Sequence, residues 1–283
     1  MLMKGKMFRP TLLLLASEAE GSPEPRATAY AAVLELIHLA TLVHDDAVDH
    51  SVLRRGMPTI NALFTHQVSV IAGDFLYSRA VQELVRLGDM EPLRVLAKAS
   101  NELTLGEMRQ LAALDALAFS EDDYEFLIRA KTAALFSAAC EVGALCGAPA
   151  YREPLRLYGE RLGMAFQVAD DLLDYTASEE TTGKPTGLDL REHKVTLPLI
   201  HALKSLSIPE RAPIDELFRT PEPTDNQIAR VVDVVREAGG LEYARRRGEE
   251  FAAQAEEAIS VLPVTAARAA LYEAVAYVMA RRS

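Results

Sequence analysis

The sequence predicts an all-α protein, on two observations. Apolar residues recur at three- and four-residue spacing through long segments, and proline and glycine gather in the short stretches between them. No run alternates apolar and polar residues as a half-buried strand does, and no convincing hairpin is seen. The 14 prolines and 15 glycines concentrate near residues 22–25, 55–58, 88–92, 147–154, 183–185 and 209–223. Between these breaks the spacing predicts helices over residues 27–48, 68–87, 93–117, 124–146 and 155–175. Ser120-Glu121-Asp122-Asp123 supplies a capping serine followed by first-turn acids, Pro154 marks another start, and Gly88 and Gly147 mark stops. Beyond the proline-rich 209–223 stretch, Thr224-Asp225-Asn226 opens a tail with helices over 226–238, 241–261 and 264–281. Ten or more helices result, with alanine-rich faces that suit close packing. No linker is polar enough to divide them, so residues 1–283 are expected to form a single domain.

Composition limits the partners. With 30 basic and 41 acidic side chains the formal charge is -11, which argues against a sequence-independent nucleic-acid surface. Cys140 and Cys146 lie in an apolar stretch and read as a buried, reduced pair. No apolar run reaches the roughly 18 residues that span a bilayer. The longest candidate, residues 27–43, is interrupted by Glu35 and His38, and the first six residues lack the plan of a signal peptide. A cytoplasmic protein without a transmembrane segment is expected.

One five-residue pattern occurs twice, as Asp45-Asp46-Ala47-Val48-Asp49 and as Asp170-Asp171-Leu172-Leu173-Asp174. On a helix the first and last carboxylates of each cluster lie one turn apart on one face, with the middle one beside them. Like charges at that spacing destabilise one another and call for a cation. One such cluster could be a solvated helix end; two copies within apolar helices favour a shared chemical purpose. Carboxylates without cysteine suit a hard, oxygen-seeking ion, and magnesium commonly bridges one or two carboxylates to a substrate phosphate. Cationic groups able to hold such a phosphate occur at Lys6 and Arg9, Arg54 and Arg55, Lys131 beside Thr132, Lys184, and Lys194. Each alone reads as a surface charge. His38 precedes Asp45 by seven residues and Gln167 precedes Asp174 by seven, so each faces the same way as its cluster.

These residues resemble the trans-isoprenyl diphosphate synthases, or polyprenyl synthetases, over nearly the whole chain. Glu35-Leu36-Ile37-His38 through His44 to Asp45–Asp49, followed by Arg54-Arg55-Gly56-Met57-Pro58, is similar to the family's first aspartate-rich region. Phe166-Gln167-Val168-Ala169 with Asp170–Asp174, Gly183-Lys184, Asp189-Leu190 and Lys194-Val195-Thr196-Leu197-Pro198 is similar to the second. The segments Gly73–Ala80 and Gly106–Leu111 look most like the medium- and long-chain members. The resemblance implies a single large helical bundle of isoprenoid synthase type around a deep central cavity, with three magnesium ions per active site. It implies metal contacts by Asp45, Asp49 and Asp170, with Asp46, Asp171 and Asp174 ligating or orienting through water. Arg54, Lys131, Thr132, Gln167 and Lys184 would hold the leaving diphosphate of an allylic substrate. Lys6, Arg9, His38 and Arg55 would bind isopentenyl diphosphate, and Lys194 belongs to the closing motif of the site. A homodimer is also implied.

Product length in the family depends on how far an apolar tail runs from the first cluster. Ala40 and Thr41 stand about one turn before Asp45 and neither is an aromatic plug; the next candidate floor is Phe75, Leu76 and Tyr77. An all-trans polyprenyl diphosphate longer than farnesyl is expected, with geranylgeranyl diphosphate as the shorter alternative. Three departures stand out. The Gly5–Pro10 motif begins almost at the first residue, so the N-terminal helix is short or missing. His193 stands where the family usually has glycine. Arg281 and Arg282 end the chain, where they either close over the second diphosphate or form a solvated helix end. Two rival chemistries use some of the same residues. The His/Asp metal centre of an all-α phosphohydrolase could employ His38, His44-Asp45 and distant aspartates, but only six histidines exist and none accompanies the second cluster. A terpene cyclase shares the first cluster but not a second aspartate triad. A non-catalytic synthase subunit generally lacks both clusters.

Overall fold

Long apolar-periodic segments become helices close to the expected bounds, and the helix ends show why. The computed structural model describes residues 7–22, 24–54, 56–111, 116–176 and 187–280. Its packing forms two compact units, one of Met1–Asn101, Leu135–Gly159 and Ala258–Leu271, the other of Glu102–Ala134, Glu160–Glu257 and Tyr272–Ser283.

In the first unit, α1 (Phe8–Ser17) and α4 (His66–Leu87) pack on α2 (Pro25–Val48). α2 starts where Pro25 supplies a preset backbone and the Glu24 side chain accepts from Arg26 N–H. It buries Tyr30, Val33, Leu34, Ile37 and Val43. By length and composition α2 is also apolar enough to cross a membrane, which the interruption at Glu35 and His38 had concealed. α4 is capped by Thr65 and ends at Gly88, whose φ of 78° is the left-handed conformation expected of a glycine stop. Gly147 marks a helix end as expected and has a second use. It is the last residue of α7 (Ala134–Gly147), and a Cβ there would come within 2.1 Å of the Ser17 carbonyl oxygen, so glycine also permits close backbone approach.

Between α2 and α4 the structure corrects the absence of strands. Leu53–Arg54 (β1) pairs antiparallel with Met57–Pro58 (β2), ahead of α3 (Ile60–Leu63). Two residues per strand are too few to show alternation in sequence. Thr59 holds the base: its hydroxyl donates to Ser51 O and its N–H to Val52 O.

α5 (Met90–Leu111) precedes a 3-10 turn at Ala116–Ala118. In the second unit α6 (Glu121–Ile128) begins at Ser120 with the capping box its sequence predicts. The single helix expected over 124–146 is interrupted by a π-helical turn, Arg129–Ala133. α8 (Arg152–Thr176) starts two residues before Pro154, which sits harmlessly in its first turn. The remaining helices are α9 (Leu188–Arg191), α10 (Leu197–Ser205), α11 (Ile208–Arg219), α12 (Asp225–Glu237), α13 (Gly240–Ala258) and α14 (Ala266–Ala280).

α11 runs through the stretch read as a proline-rich break. Ser207 and Glu210 form a capping box, Pro209 falls in the first turn where no N–H is needed, and Ile214 and Leu217 are buried. Pro213 costs the helix one interior hydrogen bond, which that burial offsets.

His193 explains its own departure from glycine. Its φ of 55° is left-handed, and its ring Nε2 donates to Thr220 O at 2.9 Å, at the C-terminal end of α11. The ring also meets Phe218 edge-on. Left-handed backbone costs a non-glycine residue about 1 kcal/mol, and the hydrogen bond returns about the same. His193→Gly should therefore leave the thermal midpoint nearly unchanged, whereas His193→Ala, keeping the strain and losing the bond, should lower it by about 2–4 °C. Equal midpoints for the two variants in thermal denaturation would refute this account.

Candidate active site

Both aspartate clusters sit at the C-terminal ends of long helices, α2 and α8, and neither helix has a basic residue in its last turn. The carbonyl ends of a helix carry partial negative charge, so each carboxylate there is disfavoured by about 0.3–1 kcal/mol. The sequence accepts this penalty twice, which is physically sensible where a cation is to be held.

In each cluster the middle aspartate turns inward. Asp46 is 5% exposed and its Oδ1 accepts from Arg54 Nε at 2.8 Å. This pairing, through the hairpin missed in the sequence, places the Arg54 guanidinium beside the first cluster. Asp171, also 5% exposed, accepts from the Tyr124 hydroxyl at 2.6 Å through Oδ2 and from Gln167 Nε2 at 2.7 Å through Oδ1. The flanking carboxylates lie nearer solvent: Asp49 and Asp170 are exposed, Asp45 and Asp174 half-buried. Asp174 accepts from the backbone N–H groups of Leu188 and Asp189, both at 3.0 Å, which ties the end of α8 to α9.

Asp189 was legible only as part of the family motif and had no assigned role. Burial first, and then the charge of Asp174, push its carboxyl up to about 7, opposed by Lys194. Asp171 is raised as well, chiefly by burial and then by Asp189, while the donors Tyr124 and Gln167 pull it back. The carboxylates of this unit thus raise one another, the electrostatic condition that a divalent cation relieves. Among the described residues no three acidic, histidine or cysteine side chains stand close enough to hold a metal ion by themselves. An ion at such a site takes its remaining oxygen ligands from substrate or water.

The cationic and polar residues assemble locally. In the first unit the Arg9 guanidinium donates to His38 Nε2 at 3.0 Å and lies over the Phe136 ring, 4.6 Å from its centroid. Two residues expected at the same diphosphate are therefore in contact, with the His38 ring accepting. In the second unit Lys131 and Thr132 sit on the π-helical turn, and the extra residue of that turn sets their direction relative to α6. Lys131 Nζ reaches Glu107 at 2.5 Å and Gln110 at 2.8 Å, both on α5. The Thr132 hydroxyl donates to Gln167 Oε1 at 2.7 Å. Lys194 Nζ is 2.6 Å from Glu192. Lys6, Arg55, Lys184, Arg281 and Arg282 lie outside the described residues.

Of the length-setting candidates, Ala40 is 1% exposed and packed, whereas Thr41 is half-buried and donates to His38 O. Phe75 is 62% exposed on α4, Tyr77 is exposed and Leu76 half-buried. Tyr124 escaped notice in the sequence because a tyrosine on an apolar helix face has no mark separating it from ordinary core.

Comparison with known proteins agrees with this chemistry. The sequence profile described as polyprenyl synthetase matches residues 1–235. The all-trans-nonaprenyl-diphosphate synthase (geranyl-diphosphate specific) of Rhodobacter capsulatus is 42% identical over 271 residues, 94% of this chain and 82% of that protein. The octaprenyl diphosphate synthase of Escherichia coli strain K12 is 42% identical over 272 residues, 94% and 83% of the two chains. A crystal structure of polyprenyl synthase from Caulobacter crescentus CB15, complexed with calcium and isoprenyl diphosphate, superimposes with a TM-score of 0.92 at 37% identity, covering 99% of this chain and 86% of that one.

Proposed function

The chain belongs to the polyprenyl synthetase family and is a trans-polyprenyl diphosphate synthase; from that premise we propose that it joins isopentenyl diphosphate head-to-tail to an allylic diphosphate, with magnesium, to give an all-trans product of medium or long chain. The observation that carries this reading is the twofold use of one device: an aspartate cluster at the carbonyl end of a long helix, with its middle carboxylate anchored inward by a side-chain donor. The octaprenyl and nonaprenyl relatives support a product longer than farnesyl.

Asp45, Asp49 and Asp170 are assigned as the carboxylates that hold three magnesium ions, with Asp46, Asp171 and Asp174 ligating or orienting through water. The all-oxygen donor set fits magnesium, and the Caulobacter relative is complexed with a divalent ion and isoprenyl diphosphate. When bound, the ions neutralise the departing pyrophosphate. Lys131, Thr132, Gln167, Arg54 and Lys184 hold that same leaving group. Arg9 and His38, with Lys6 and Arg55, orient the diphosphate of isopentenyl diphosphate. The allylic carbon–oxygen bond breaks to give a cation and pyrophosphate, and the isopentenyl double bond supplies the electron pair of the new carbon–carbon bond. A proton then leaves to the released pyrophosphate. No side-chain nucleophile takes part; catalysis lies in stabilising charge where water is scarce.

We assign the single-domain organisation over 1–283, a cytoplasmic location and a homodimer to the same reading. The two cysteines, both free and buried, suit a reducing compartment. For the dimer, the supporting feature is a stripe along α4 formed by Ile71, Phe75 and Val85, all more than 60% exposed. Incubating the purified protein with labelled isopentenyl diphosphate, a series of allylic primers and magnesium, then separating the dephosphorylated products by length, tests the function. Chains longer than farnesyl are expected, and release of inorganic phosphate without chain growth would reject the reading.

A further inference from the structure

Helix ends fray readily, and the first cluster stands on one: beyond Val48 the regular ladder of α2 stops, and three carboxylates crowd the negative end of its dipole. Two tethers hold that turn. One is the Arg54–Asp46 pair already described. The other is His44, the residue immediately before the cluster. Its Nε2 lies 3.2 Å from Val70 O and 3.2 Å from Asp74 Oδ1, two groups one turn apart on α4. Both are acceptors, so Nε2 is the ring nitrogen that carries hydrogen, and its N–H is shared between them. Gly73, buried on α4, makes the seat for the ring: a Cβ there would come within 2.3 Å of His44 Nε2 and within 2.4 and 2.9 Å of its two neighbouring ring carbons. One turn earlier on α4 the buried Ser69 hydroxyl donates to Val43 O at 3.4 Å. Ser69 and Gly73, both small, let α4 approach the end of α2 closely enough for the imidazole to reach it.

We propose that His44 is a positioning residue for the first cluster: seated on Gly73 and bonded to α4, it fixes the rotation of the last turn of α2 and with it the directions of Asp45 and Asp49. The inference rests on the assignment of those two carboxylates to magnesium and deepens it. Residues 44 to 48 make little more than one helical turn, so docking the imidazole on a neighbouring helix constrains where the next side chains point. An untethered turn would let the carboxylates spread under their mutual repulsion. The tether adds little to folding itself, because its histidine and aspartate side chains are 37% and 68% exposed. Its contribution lies in placing the ion ligands, and removing a group that orients such ligands costs about 10- to 100-fold in metal affinity or activity.

Magnesium titrated into the full-length protein with pyrophosphate present, read as the rise in thermal midpoint, tests this without turnover. His44→Ala should raise the half-saturating magnesium concentration about tenfold, while the midpoint without magnesium stays within about 3 °C. His44→Gln, whose amide can offer an N–H in the same place, should recover most of the loss. Gly73→Ala should act like His44→Ala by evicting the ring. The double variant should be no worse than His44→Ala alone, because alanine at 44 leaves no ring to evict. An unchanged magnesium requirement in His44→Ala, no recovery in His44→Gln, or multiplicative losses in the double variant would overturn the proposal. If Gly73→Ala does not fold, the contrast between alanine and glutamine at position 44 decides it by the same criteria. Asp45→Asn serves as the reference: an undiminished response to magnesium in that variant rejects the underlying site assignment, whereas a weakened response there beside an unimpaired His44→Ala rejects the positioning role alone.

Discussion

Asp45→Asn and Asp170→Asn should each lower kcat by about 100- to 1,000-fold, the range found when a group stabilising the developing charge of a transition state is removed. Stability should move the other way or stay level. Each substitution keeps shape while deleting a negative charge from a cluster of like charges, and Asp45 lies in the last turn of α2. Relief of the helix-dipole penalty contributes about 0.3–1 kcal/mol. Loss of turnover with an unchanged or raised thermal midpoint would thus separate a metal-holding role from a structural one. A second measurement tightens the test. Magnesium with pyrophosphate should raise the midpoint of the unsubstituted protein, because a ligand bound only to the folded state stabilises it, and should raise that of either variant much less. Near-normal turnover in both variants would overturn the assignment of the two clusters.

The contrast between the clusters shows what a sequence can carry. The repeated five-residue pattern was legible because a helix converts spacing directly into shared faces, and the capping box at Ser120 was legible because its chemistry is confined to four neighbouring residues. The inward turn of Asp46 was not, since it depends on Arg54 arriving through a hairpin only two residues per strand long. Nor was the π-helical turn under Lys131 and Thr132, where one extra residue per turn leaves the apolar pattern on either side intact. Gly147 was legible as a helix stop, but its second use was not: only the position of Ser17 O reveals the close backbone contact. Proline at 209 and 213 signalled a break, yet Ser207, Glu210 and the buried Ile214 and Leu217 outweighed it. Local chemistry was readable where one signal dominated; competing local signals and pairings set by distant chain segments were not.

The same distinction determines which substitution should shorten the product. Ala40 and Thr41 are equivalent in sequence, each small and about one turn ahead of Asp45, but Ala40 is packed and Thr41 half-buried. A phenylalanine at position 40 has no open space to enter, so Ala40→Phe should overpack the core, cost about 1–3 kcal/mol and lower the thermal midpoint. At position 41 the ring can extend into accessible space, losing only the hydroxyl's bond to His38 O. A helix rises about 5.4 Å per turn, so a ring there would stand within a few ångströms of the carboxylates, where the tail of a growing prenyl chain must pass. Thr41→Phe should therefore shift the product distribution toward shorter chains by at least one isoprene unit. The first condensation, whose allylic tail is still short, should keep a rate closer to that of the unsubstituted protein than the later ones. Chromatography of the dephosphorylated products reads both effects, and an unchanged length distribution from folded Thr41→Phe would show that the growing chain leaves the first cluster by another route.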